Sequence, residues 1–476
     1  MSKITSQQSW RFLTEDAAAI LAGLREADFE HIYPASPTLF DRFLSYLGVI
    51  GVRDTLDQFP DHRQRRSIPV RFFTQTLLVR PLCAVSSLAQ LGPVLSAAPE
   101  VLHLLGFNAH QIAHGFRANA NQRPFEEEAL ANFAATVTAQ DCLEHSVAVL
   151  AQVVAAHPHY FASATVVVDS KGVYAPPGKG SPQGKRLEAV SLKACTLSLV
   201  VEGEALPLVW LFAPQHTAEV ALGKALLEAA LPTLVAAGVK TLLVDAGYID
   251  GAWLGELSRR WDLRVGIRVR EDMRLYADAL GAAQVKDVLR PRQTAPWQEA
   301  PPPKLKGRPR PQRQVLLVPA LDSWEGAAQP VDALLIRDTY PDGTVQQAVI
   351  AFFGNSETDP VALLAEWRQR WCIEEFFMVA DRYQHLGRLF PCREGFARTW
   401  VHFAFLAHLL LWLFDHYQPE EPLPEPKAGG LLVIRGPHYA IISVGQLLQL
   451  VLDHHSAWQS KRAQVFARLG FNDLPP

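Results

Sequence analysis

WRQRWCIEEFFMVAD, residues 367–381, is the segment from which the rest of the chain can be read. As a helix it sets Trp367, Arg370, Glu374 and Asp381 at successive spacings of three, four and seven, close to whole turns, so the four share one face. Ile373, Phe376, Phe377 and Ala380 supply an apolar face beside it. An arginine and a glutamate four apart are common on ordinary surface helices, so the segment alone does not make a site. Two carboxylates upstream change that.

From Ala164 the chain takes on the period of strands. Ala164–Val168 is a β-branched run ending on Asp169, which predicts a buried central strand with the carboxylate at its C-terminal lip. Ala194–Val201 and Leu206–Phe212 predict two more strands about the turn Glu202-Gly203-Glu204, and Ala218–Ala237 a helix closed by Gly238. Thr241–Val244 is again a short apolar run ending on a carboxylate, Asp245, followed by Ala246-Gly247-Tyr248. A helix around Gly251–Arg260 and a strand at Arg264–Val269 complete the order β-β-β-α-β-α-β. The expected fold class is α/β, a ribonuclease-H-like mixed sheet with flanking helices.

Asp169, Asp245 and Glu374 are thus delivered by two strand ends and a helix to one edge of one sheet. Singly, each has an ordinary explanation: Asp169 as a strand-end turn residue, Asp245 as the cap of the loop at Gly247. Three converging carboxylates repel one another unless cations lie between them, and hard oxygen ligands suit Mg²⁺ or Mn²⁺. Two such ions about 3.5–4 Å apart activate a water or a 3′-hydroxyl and stabilise the leaving oxygen in an in-line attack on phosphorus. Phosphodiester chemistry is the expectation.

VVVDSKG, LLVDAGY and WRQRWCIEEFF resemble the three acid regions of the DDE transposases of bacterial insertion sequences, in the group whose third region reads Y-x-x-R-x-x-x-E with a lysine seven residues after the glutamate. The resemblance covers roughly Thr165 to Phe414. It implies a metal-binding and catalytic triad of Asp169, Asp245 and Glu374 holding two Mg²⁺ ions, with Mn²⁺ able to substitute, and an Arg370 that contacts DNA phosphate near the transposon end. Glu375 is the alternative third ligand. Two positions depart from the pattern, since Trp367 stands where the group has tyrosine and Asp381 where it has lysine. Trp367 keeps an aromatic face and a donor, and Arg382 offers a compensating charge about 100° further round the helix. The resemblance also implies an inserted β-domain whose aromatic residue holds a flipped base, a step that costs a few kcal/mol. Trp297 and Trp324 are the candidates, and nothing in the sequence separates them.

That insertion is expected at 271–345, where the regular alternation lapses and prolines gather with Lys304, Lys306, Arg308, Arg310 and Arg313, a basic arm for the DNA backbone. Gln314–Val318 and Ala333–Ile336 are its strand-like runs. Residues 1–158 predict an all-helical DNA-binding domain whose densest basic run is His62-Arg63-Gln64-Arg65-Arg66, a solvated loop or a backbone contact. The core is expected over 159–270 and 346–417. An acidic, proline-rich linker and a small C-terminal helical unit, Ile442–Leu469, are expected within 418–476.

The formal net charge of −3 excludes a uniformly basic nucleic-acid coat, so an anionic partner must be met by local patches. The five scattered cysteines show no CxxC pair and no zinc-ligand spacing, which fits a reducing cytoplasm. The apolar run Trp400–Phe414 carries His402 and His408 and is short for a bilayer, so a core helix rather than a membrane segment is expected. The resemblance implies a bacterial, cytoplasmic cut-and-paste transposase, nucleoid-associated on DNA. Its partners would be double-stranded terminal inverted repeats and target DNA, met by a dimer in the DNA complex. Two alternatives share these residues: a catalytically impaired DNA-binding relative acting as a regulator, and a structure-specific metal-dependent nuclease.

Overall fold

The computed structural model describes residues 17–34, 39–64, 68–83, 87–92, 127–179, 186–270, 274–277, 281–284, 296–303, 310–321, 329–417, 430–435 and 438–461, with the single positions Val85, Leu102, Leu105, Phe107, Gln111, Trp324 and Ala327. The chain divides into two compact units, Met1–Asp141 with Cys392–Pro476, and Cys142–Pro391. The division falls inside the helix Ala139–Ala156.

The second unit is built on a nine-stranded sheet. Its strands are β1 (Thr165–Ala175), β2 (Val190–Val201), β3 (Glu204–Pro214), β4 (Thr241–Val244), β5 (Arg264–Val269), β6 (Gln298–Ala300), β7 (Gln312–Leu321), β8 (Val331–Thr339) and β9 (Val345–Phe353), in the order β6-β7-β8-β9-β5-β4-β1-β2-β3. The half β3-β2-β1-β4-β5 has an antiparallel meander followed by strands parallel to β1. This is the ribonuclease-H-like arrangement expected. Val166–Val168 and Leu242–Val244 are fully buried, as a strand covered on both faces requires. Helix α1 (Glu219–Ala236) follows β3, and α2 (Gly251–Trp261) connects β4 to β5.

The expected insertion is not a separate body among the described residues. β9 pairs antiparallel with β5, from Val349 opposite Val269 to Phe353 opposite Val265, so β6–β9 continue the core sheet. The open edge of β5 presents unpaired N–H and C=O groups, and the apolar second half of β9, Val349–Phe353, satisfies them. That strand had no counterpart in the sequence reading, and the flanking strands run longer than Gln314–Val318 and Ala333–Ile336. A small hairpin, Arg274–Ala277 with Gly281–Gln284, completes the described part of the insertion.

After β9 come α3 (Pro360–Arg368) and α4 (Trp371–Gln384). Asp359 starts α3, its carboxylate accepting from Val361 N at 3.0 Å, with Pro360 at the first helical position. The single helix expected over 367–381 is therefore two. Between them the backbone tightens to i→i−3 bonds: Arg370 N donates to the Trp367 carbonyl and Cys372 N to the Gln369 carbonyl, each at 3.1 Å. The turn stays right-handed helical in its dihedrals, so the spacing of Arg370 to Glu374 survives.

The first unit corrects two expectations. Its N-terminal segment is not all helical, and its C-terminal segment is not a helix from Ile442. His31–Pro34 pairs with Gly430–Arg435, which pairs with His438–Ser443, in a three-stranded antiparallel sheet. Ser443 then caps the helix Val444–Asp453 through a reciprocal bond pair with Gln446. Ile20, Leu24, Ile32, Val433, Leu447 and Trp458 form the core over this sheet. The apolar helix runs Glu394–Asp415 and lies in this unit. It is long and apolar enough to cross a membrane by length and composition, but its residues are buried among the unit's own helices. Phe59 meets Phe403 at 5.5 Å between ring centroids, and the Arg80 guanidinium lies 3.5 Å from the centroid of the Trp400 ring.

Candidate active site

β1 and β4 each read threonine, three aliphatics, aspartate. They pair in parallel with Thr165 opposite Thr241 and Val168 opposite Val244. The next residue on each is the acid, so Asp169 and Asp245 emerge side by side, on strands roughly 4.8 Å apart. From there the strands part. β1 continues to Ala175 against β2, so Asp169 lies inside that strand rather than at its lip, whereas β4 stops and Asp245 opens the short 3₁₀ turn Ala246–Tyr248. The crevice opened by this parting is where α4 delivers Arg370 and Glu374.

Arg370 stands at the centre. Its Nη1 is 3.4 Å from Asp169 Oδ2 and 3.7 Å from Asp245 Oδ1, while Nη2 donates to Glu374 Oε1. The side chain is 10% exposed, against 18% for Asp169, 35% for Glu374 and 38% for Asp245. One buried guanidinium thus holds all three acids, the fork geometry allowing it to serve several carboxylates at once. Asp169 also accepts from the amide of Ser170 at 2.7 Å. Burial pushes its carboxyl up to about 6, with Asp245 and Glu374 adding to the rise and the Ser170 amide and Arg370 opposing it.

Three carboxylates, two of them open to solvent by a third or more, make a donor set that fits a hard divalent cation in charge and chemistry. As placed they are spread around the guanidinium. No three acids, histidines or cysteines among the described residues stand close enough to share one ion. Loading a cation here requires Arg370 to release carboxylates.

The family model described as Transposase DDE domain matches residues 161–410. The chain belongs to the transposase DDE domain family. No curated protein matches it. Among solved structures, the cryo-EM structure of the piggyBac transposase synaptic complex with hairpin DNA is similar over 93% of this chain and 88% of its own, with 8% identity and a TM-score of 0.40.

The remaining candidate residues of this transposase-family chain fall into three groups. Near the triad, Trp367 is half-buried with its ring centroid 5.6 Å from the Arg370 guanidinium carbon. Glu375 points outward and does not join the acids, and Arg382 is exposed on α4. Asp381, at the lysine position, accepts from Gly387 N at 2.7 Å and so ties down the turn after α4, which ends at a left-handed His385 with φ 56°. In the insertion, Trp324 is buried and stacked on Phe353 at 5.9 Å, over Gly251 at the start of α2. Trp297 is half-buried, with the Arg337 guanidinium 4.3 Å above its ring. Arg310 is exposed, while Lys304, Lys306 and Arg308 lie outside the described residues.

In the first unit, Arg63 spends its fork on Asp61, at 2.8 and 2.7 Å, and on the Ile68 carbonyl at 2.6 Å, with its carbon 4.4 Å from the Phe73 ring centroid. Arg65 and Arg66 lie outside the described residues. Sequence reasoning missed Ser170 and Tyr248, whose side chains meet behind the acids. The available signal was the shared Thr-aliphatic-aspartate pattern, which sets the two acids in register and makes whatever follows them neighbours.

Proposed function

We propose that this chain is a cut-and-paste DNA transposase of the bacterial insertion-sequence type. It binds terminal inverted repeats, hydrolyses the strand at the transposon end and joins the freed 3′-hydroxyl to target DNA, acting as a dimer on DNA. The observation that carries this reading is the convergence of Asp169, Asp245 and Glu374 on one guanidinium, within a chain of the transposase DDE domain family.

Asp169, Asp245 and Glu374 would hold Mg²⁺ or Mn²⁺. A cation bound there supplies Lewis acidity, activating the attacking oxygen and stabilising the leaving one. The chain's own part is to position. β1 and β4 fix two acids at one level, α4 brings the third, and Arg370 would exchange its carboxylates for a DNA phosphate if a cation took them up. A guanidinium suits that exchange, because it binds phosphate and carboxylate oxygens by the same two-pronged geometry. Arg382 is the exposed candidate on α4, Trp297 lies half-exposed under Arg337 at the β6 edge of the sheet, and Trp324 is taken up by the core.

The test is cleavage of a labelled duplex carrying the terminal repeat, with Mg²⁺ or Mn²⁺, by the unaltered protein and by Asp245→Ala and Glu374→Ala. Nicking and strand joining that both substitutions abolish, with repeat binding kept, support the reading. Cutting at any duplex without joining indicates a nuclease. Binding without cutting in either metal indicates a regulator, a second reading favoured by one observation: the Arg370 guanidinium occupies the space among the three acids.

A further inference from the structure

The parallel ladder between β1 and β4 ends at Val168 opposite Val244, one residue short of both acids. Strand pairing therefore brings Asp169 and Asp245 to the same level but does not fix the gap between them. Something beyond the ladder has to, because a ligand set must be held to about 0.5 Å to bind its ion well.

We propose that Tyr248 is the positioning residue that sets this gap, by joining the turn after Asp245 to the backbone after Asp169. Its amide donates to the Asp245 carbonyl at 3.0 Å, closing the 3₁₀ turn. Its hydroxyl lies 2.5 Å from Ser170 Oγ and 3.2 Å from Cys195 Sγ. Ser170 and Cys195 are cross-strand partners on β1 and β2, so the hydroxyl grips both strands at the level of the acid. The amide of Ser170 in turn donates to Asp169 Oδ1. The circuit runs from Asp169 through Ser170 and the tyrosine hydroxyl to the turn and Asp245.

Strand alternation puts Ser170 on the opposite face of the sheet from Asp169, so the tie acts from behind the acids and touches no substrate. The tyrosine is fully buried, and its ring passes so close to Gly223 of α1 that a Cβ there would stand 2.8 Å from it. The same turn is braced from outside. The Glu219 carboxylate, paired with Lys193 at 3.3 Å, occupies the space a side chain at Gly247 would fill. Burial raises the Tyr248 hydroxyl above its ordinary range, so it stays a neutral hydrogen-bonding group at any working pH.

The inference rests on the triad reading above, and Mn²⁺ itself is the probe. Full-length protein, Tyr248→Phe, Ser170→Ala, the double variant and Asp245→Ala are titrated with Mn²⁺ by calorimetry and assayed for single-turnover nicking of the terminal-repeat duplex. Tyr248→Phe and Ser170→Ala should each weaken Mn²⁺ binding and slow nicking by about 10–100-fold, the usual cost of losing an outer partner of a metal ligand. The affinity for DNA should not change. The double variant should be no worse than either single one, and excess Mn²⁺ should restore the rate, which it would not do for a general loss of fold. Where Tyr248→Phe fails to fold, Ser170→Ala decides alone, since it keeps the ring. Unchanged Mn²⁺ affinity and nicking in the folded variants, with both lost in Asp245→Ala, overturn the tie and leave the triad standing. If Asp245→Ala also changes neither, the triad reading falls and the tie with it.

Discussion

A guanidinium held by three carboxylates stands where the proposed divalent cation would bind, and Arg370 accordingly predicts its own replacement. Arg370→Ala leaves three acids facing one another with no counter-charge, a loss of the kind that costs about 3–5 kcal/mol at a buried pair. Mg²⁺ should then raise the melting temperature of the variant more than that of the unaltered protein, which differential scanning calorimetry reads directly. Asp169 makes the opposite prediction. Its folded value of about 6 lies above its ordinary 3.8, so the unfolded chain releases this proton first and stability falls as pH rises through that window. Asp169→Asn removes the penalty. It should stabilise the protein by up to about 3 kcal/mol above about pH 7, the gain vanishing below about pH 4, in urea melts across pH. These side chains were legible in the sequence because their geometry is local: an acid after an aliphatic run, an arginine four residues before a glutamate. Tyr248 was not, since what it does depends on Ser170, 78 positions away.

At the level of elements, the two tryptophans that the sequence could not separate are separated by packing. Trp324→Ala should cost about 3–5 kcal/mol in urea unfolding, as the loss of a buried aromatic does. Trp297→Ala should cost far less and instead impair processing of the DNA end. The core strands were readable because Val166–Val168 and Leu242–Val244 are continuous apolar runs of strand length. Val345–Phe353 was missed because its polar first half reads as a loop, and it becomes a strand only by completing the edge of β5. His31–Pro34 offers four residues with a proline among them, too little for any period to show. The strand His438–Ser443 is hidden in the sequence because Ile442 also fits the apolar face of the helix that follows.

For the whole molecule, the first unit is assembled from both ends of the chain. Trp458 is buried and donates to the Leu24 carbonyl at 2.8 Å, and Arg435 pairs with Asp28 at 2.7 Å. Deleting residues from 430 onward should therefore strip hydrogen-exchange protection from the helix Ala17–Arg25 while leaving that of β1 and β4 in place. The closure of this sheet by strands so distant in sequence has a meaning for synthesis. His31–Pro34 leaves the ribosome about 400 residues before its partner Gly430–Arg435, a wait of roughly 20–80 s at ordinary elongation rates. The second unit, complete at Pro391, has all its strands in hand during that interval. The triad is thus assembled on the nascent chain before the N-terminal strand gains its partner, so a message truncated between these points yields the acids without the finished first unit.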